Sequence, residues 1–262
     1  ATFDAVLNWW GDAGGPGSGG ANGVDGSVDW SPALASAPSA GQLVIKHATD
    51  PVIYRQFNQP VALELWQQNL PSAAAAYQAF LGFDTALLGF TSGTYTSSPY
   101  GWPVLSPIAA SGTEIDLAAG ILPPGQSPSA ADAKLADLSF TTGTSEGVTE
   151  VAFRATNPMS RFSDSNGDEI ATVTLNGPPI VIDNTAPVIT CPGDKSQSND
   201  AGLCSATVAV GTATAVDNLS GVASVVGTRG ASLPLTDPDP VGATTSTGVA
   251  TDNSGNASSC GH

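Results

Sequence analysis

Carboxylate and amide oxygens at short, regular spacing are the groups in this 262-residue chain best suited to chemistry, and what they suit is binding a hard cation. Asp164-Ser165-Asn166-Gly167-Asp168-Glu169 places oxygens at alternate positions around a glycine, with the D-x-N-x-D spacing of a calcium loop: Asp164, Asn166 and Asp168. A complete loop of that kind ends on a bidentate Glu, and this chain has Leu175 at that position. The same residues also suit a polar hairpin turn, which Asn-Gly favours. A second set, Asp183, Asp217 and Asp252, recurs in the pieces D-N-T-A-P, V-D-N and T-D-N-S-G-N, with Asn184, Asn218 and Asn253 beside them. If these turns meet at one end of a sandwich, calcium there would stiffen the joint. Otherwise the carboxylates cap local amides in Asx turns.

Other chemistry has little support. Trp66, Tyr100 and Trp102 are candidates for an aromatic platform against sugar rings, because Tyr95–Trp102 lies in a polar, Pro-rich loop; ordinary packing is the competing role. The only histidines are His47 and His262, and no G-x-S-x-G, H-E-x-x-H or Gly-rich phosphate loop occurs. The expectation is a chain without catalysis. Seven Lys and Arg against 23 Asp and Glu give a net charge of −16, which repels phosphate backbones and anionic lipid. Nucleic acid is therefore excluded as a partner, and no apolar run is long enough to insert into a membrane. Protein–protein contact, by self-assembly or with neighbouring domains, and glycans are the partners that remain.

The elements that must position these residues are short strands. Thr, Val, Gly and Pro recur while long helix-forming windows are absent, the composition of an all-β chain built of sandwiches. Tyr77, Ala79, Leu81 and Phe83 alternate with Gln78 and Phe80, and further strands are predicted at Glu114–Ala119, Lys134–Thr141, Thr149–Ala155 and Ile170–Leu175. The runs Ile180–Ile182 and Val188–Thr190 flank Asp183-Asn184-Thr185-Ala186-Pro187. We read this as a short, stiff joint between two modules. Three units follow: residues 1–38, 39–182 and 183–262.

Each unit resembles a known family. Asn8-Trp9-Trp10-Gly11-Asp12, Gly14–Gly17 and Val28-Asp29-Trp30-Ser31-Pro32 resemble the closing coil of right-handed parallel β-helix proteins, which makes residues 1–38 the end of an upstream domain and the chain a piece of a longer protein. Tyr77–Leu88 and Ala130–Thr141 resemble the strand signatures of cohesin-like domains. That likeness implies a non-catalytic jelly-roll sandwich over 39–182 of the cohesin and carbohydrate-binding-module kind. Asp183–Pro192, Gly202–Val208, Ala215–Asn218 and Ala250–Cys260 resemble a hyalin repeat, an immunoglobulin-like extracellular module, here without the strand that usually follows the last Cys.

Three cysteines within residues 183–262 indicate an oxidising compartment. In the hyalin-repeat reading Cys191 pairs with Cys260, and Cys204 lacks its usual partner because Leu219 stands where that family has Cys; a Cys191–Cys204 bond is the alternative. A sandwich without its last strand leaves an edge for another segment to complete. The sequence thus points to a secreted or cell-surface structural or adhesive segment, of a filament or surface layer. The alternatives are a carbohydrate-binding accessory region of a polysaccharide-degrading β-helix enzyme, or a dockerin-binding cohesin.

Overall fold

The structure, a computed structural model, describes residues 40–230 and 232–262. The β-helix-like segment 1–38 lies outside them. All regular elements among the described residues are strands, and no helix is long and apolar enough to cross a membrane.

Period-two patterning builds the first module. In Pro60–Gln68, Val61, Leu63, Leu65 and Gln67 point inward, whereas Ala62, Glu64 and Trp66 point out. In Ala76–Gly82, Tyr77, Ala79 and Leu81 form the opposite inner face. The first strand lies in a five-stranded sheet ordered Thr172–Leu175, Gly41–Lys46, Pro60–Gln68, Ala133–Thr142, Leu88–Tyr95. Its pairs are antiparallel except the first, which is parallel. The opposing sheet runs Glu169–Ile170, Arg161–Ser163, Ala76–Gly82, Glu114–Gly120, Trp102–Pro103. Phe140 fills the space between the sheets, meeting Phe83 and Phe90 edge-on at 5.4 Å.

Two predicted strands are split. Within Ile170–Leu175 the chain leaves one sheet after Ile170 and joins the other at Thr172, and the carbonyl of Ala171 between them takes the Gly41 N–H at 2.9 Å. Thr149–Ala155 divides the same way at Val151, whose carbonyl takes the Gly177 N–H. β propensity is the same on both sides of such a switch, so the break leaves no trace in composition. A small third sheet, Gly147–Thr149, Ile180–Ile182, Ile53–Arg55, closes the end that faces the joint.

The second module holds a four-stranded sheet, Leu233–Pro234, Val222–Arg229, Ser246–Asp252, Ala257–Gly261, with the pairs Val188–Thr190/Thr214–Val216 and Ser205–Ala206/Asp239–Pro240. Cys191 and Cys260 are joined in a disulfide, and Cys204 is exposed and unpaired. No Phe, Tyr or Trp occurs in residues 183–262. Its buried hydrophobics among the described residues are Ala206, Val210 and Ala250, so polar and covalent ties must do much of the holding.

Tyr100 is buried, and this corrects its assignment to a sugar platform. Its ring packs 5.2 Å from that of Tyr77 and its hydroxyl donates to Gln67 Oε1 at 2.7 Å. A tyrosine whose hydroxyl finds an interior acceptor has little reason to stay in water. Burial pushes the phenols of both Tyr77 and Tyr100 well above their ordinary value. Because the folded value lies above the unfolded one, the stability these rings contribute is complete below about pH 10 and is lost as pH rises further. In an alkaline titration their phenolate absorbance is expected to appear only together with unfolding of the first module. Ionisation of all tyrosines while the fold persists would contradict it.

Candidate functional site

The strand Ile180–Ile182 delivers Asp183 to the joint already fixed, since the Asp183 N–H continues the parallel pairing by donating to Arg55 O at 2.9 Å. Its carboxylate accepts from Thr185 N (2.9 Å) on one oxygen and from Ser220 N (3.0 Å) on the other. Asp217 follows the strand Thr214–Val216. One of its oxygens accepts from Leu219 N (3.1 Å) and Gly221 N (2.7 Å). That curl needs a left-handed residue to close it, and Gly221 supplies it at φ +78°. Asp252 ends the strand Ser246–Asp252 and accepts from the main-chain and side-chain nitrogens of Asn256, both at 2.8 Å.

These three turns converge. One carboxylate oxygen from each of Asp183, Asp217 and Asp252 lies within 4.8 Å of the other two, the only such trio among the described residues. Asp183 is 0 % and Asp252 2 % exposed. Asp217 Oδ2 is enclosed and has no donor, as is the hydroxyl of neighbouring Ser220. No Lys or Arg pairs with any of the three. Like charges this close repel by roughly 3 kcal/mol per pair at an effective dielectric constant of about 20. Local amides offset part of this, and the bare oxygen of Asp217 is left over. An all-oxygen, anionic, partly amide-braced nest is the donor set a hard divalent cation takes, so the residues present fit calcium.

Around the trio, side chains from both modules lock the joint. Asn256 Nδ2 donates to Asp183 O (3.0 Å), and Gln56 Nε2 donates to Asn256 Oδ1 (2.6 Å). Glu146 Oε1 accepts from Asn184 N (3.0 Å) and from the Thr185 hydroxyl (2.6 Å). Asn253 Nδ2 braces the Asp217 turn through Ser220 O at 2.7 Å. Sequence reasoning missed Gln56, Glu146 and Asn256. Only Asn256 carries a signal, standing four residues after Asp252 in T-D-N-S-G-N. The other two are lone polar residues whose partners come from far along the chain.

The remaining candidates sit elsewhere. Asp164 Oδ1 accepts from Asn166 N (2.8 Å) and Asp168 N (2.9 Å), and Gly167 turns the chain at φ +87°, so Asp164, Asn166 and Asp168 form an exposed hairpin apart from the trio. Trp66 lies on the outer face of the five-stranded sheet. Lys46 sits 4.5 Å over its ring, and its indole N–H donates to Glu64 Oε2. Trp102 belongs to the opposite sheet and is 50 % exposed. With Tyr100 in the core, these three aromatics share no face.

Residues 182–262 match the HYR domain family. Over the first part of the chain, solved cohesins are similar in fold. A non-cellulosomal cohesin from the hyperthermophilic archaeon Archaeoglobus fulgidus is 13% identical, covering 56% of this chain and 93% of its own, with a TM-score of 0.43. The seventh ScaB type I cohesin from Pseudobacteroides cellulosolvens is 15% identical, covering 57% and 96%, with a TM-score of 0.44. The cohesin CaCohA2 from Clostridium acetobutylicum is 11% identical, covering 56% and 92%, with a TM-score of 0.46. No curated protein matches the chain.

Proposed function

From an HYR domain over residues 182–262 docked behind a two-sheet sandwich, we propose that the chain is a non-enzymatic connecting and adhesive segment of an extracellular or cell-surface protein, with calcium fixing its joint. The observation that carries this reading is the convergence of Asp183, Asp217 and Asp252 at the point where Gln56 and Glu146 of the first module hold the second. A cation there neutralises the trio and ties the linker strand to two turns of the HYR domain at once. The angle between the modules is then set by bonding rather than by linker composition. Connection needs that rigidity, and the disulfide fits the same oxidising, extracellular setting.

Calcium that binds only the folded state adds stability by mass action, about 2.7 kcal/mol at a hundredfold excess over Kd. Scanning calorimetry of the whole chain in calcium and in chelator is therefore expected to show the HYR transition rising with calcium. Asp217→Asn keeps the turn's amide acceptor and removes one charge. In chelator it should be at least as stable as the parent, because repulsion is relieved; in calcium it should be less stable, because the ligand set is broken. A parent transition indifferent to millimolar calcium would overturn the calcium assignment.

A further inference from the structure

The trio of carboxylates is divided between the two modules. Asp217 and Asp252 stand at the ends of HYR strands, whereas Asp183 leaves Ile180–Ile182, a strand of the first module's small third sheet. Three bonds hold residues 183–185 to the first module. The Asp183 N–H donates to Arg55 O, and Asn184 N and the Thr185 hydroxyl both donate to Glu146 Oε1. Asp183 therefore moves with the first module, and its Oδ2, held by Ser220 N at 3.0 Å, reaches across to the HYR domain.

One side-chain amide spans the same boundary. Asn256 Nδ2 donates to Asp252 Oδ2 (2.8 Å) and to Asp183 O (3.0 Å), while its Oδ1 accepts from Gln56 Nε2 (2.6 Å). Turned over, that amide would set its oxygen against two others, so Gln56 fixes the orientation that braces Asp252. The cluster is also unfinished. Six buried side-chain polar atoms lack a partner among the described residues, and three of them, Asp217 Oδ2, Ser220 Oγ and Ser254 Oγ, are oxygens of these two HYR turns. Ser220 is only 5 % exposed. An enclosed carboxylate oxygen beside enclosed hydroxyls calls for a cation that takes oxygen ligands.

We propose that calcium binding and docking of the modules are one coupled equilibrium, which makes the joint a calcium-set hinge, stiff when the trio is loaded and released when it is not. The proposal rests on the calcium reading put forward above and adds what controls the site. Without a cation, Asp183 on one side faces Asp217 and Asp252 on the other, so the like-charge repulsion acts between the modules. A bound cation reverses the sign, because a single ion attracts carboxylates from both sides. Such coupling is reciprocal: the factor by which calcium favours docking is the factor by which docking favours calcium. Gln56 and Glu146 are then positioning residues. Neither belongs to the trio, yet each sets calcium affinity from the first module.

Calcium titration of the full chain by isothermal calorimetry tests this. Gln56→Ala removes the bond that orients Asn256 and is expected to weaken calcium by roughly 5-fold or more, the lower end of ordinary coupling between sites. Glu146→Ala frees Asn184 and Thr185 and should do the same. Glu146→Gln keeps the acceptor and should bind calcium as the parent does. In the parent, amide hydrogen exchange at Asp183, Asn184 and Ser220 should slow together when calcium is added. Far-ultraviolet circular dichroism in chelator should match the parent for every variant, separating a loosened joint from lost folding; if Gln56→Ala fails to fold, the two Glu146 variants decide. Unchanged affinity in the alanine variants overturns the coupling and leaves calcium binding itself intact. Equal losses in Glu146→Ala and Glu146→Gln overturn it too, since charge and not docking would be the cause, as does exchange at Asn184 that ignores calcium. A parent that takes up no calcium overturns the coupling and the calcium assignment together.

Discussion

Removing the Cys191–Cys260 bond by double serine substitution is expected to cost the HYR domain about 4 kcal/mol in the chain-entropy model, while residues 40–182 keep their transition. The bond spans 69 residues, so the unfolded chain regains a long loop's freedom when it is cut. Small domains are stable by only about 5–15 kcal/mol, and this one buries no aromatic ring. Most of its margin should disappear. Calorimetry of parent and variant is the direct check: one transition falls steeply and the other stays. Both falling together would show the modules unfolding as a unit, and neither moving would refute the assignment of stability to the bond.

A loss of roughly 3–5 kcal/mol is expected for Asp239→Ala. Arg229 is 2 % exposed and donates to Asp239 Oδ2, to Asp237 O and, at 2.7 Å, to Val208 O. It thereby ties the end of Val222–Arg229 to Val208 and to the segment that holds Asp237 and Asp239. Without Asp239 the guanidinium stays buried with no counter-charge, and that penalty exceeds the value of the pair itself. The double replacement Arg229→Met with Asp239→Leu removes both charges and should recover most of the loss. Urea unfolding followed by far-ultraviolet circular dichroism reads this domain, which has no tryptophan. A double variant as unstable as Asp239→Ala would show that the ion pair itself carries the stability.

How far all this was readable in sequence depended on whether the signal was local. Tyr77, Ala79 and Leu81 announce an inner face by alternation alone, and the structure buries all three. The turns at Asp183, Asp217 and Asp252 are visible because Asp-Asn repeats, and their meeting follows once Ile180–Ile182 of the first module runs directly into the domain that holds the other two strands. Tyr100 was misread because a Pro-rich polar loop resembles a surface, whereas Gln67 and Tyr77, distant in sequence, offer it an interior. Arg229 with Asp239, and Gln56 with Asn256, are pairings made by topology, and no periodicity encodes them.

The disulfide also settles where a pull on this molecule would travel. Cys191 stands just beyond the first strand of the HYR domain and Cys260 two residues before His262. Tension applied between the first module and His262 therefore crosses from one cysteine to the other through a covalent bond, and the intervening 68 residues bear none of it. Under load this module is inextensible, and any give must come from the joint or from the sheets before it.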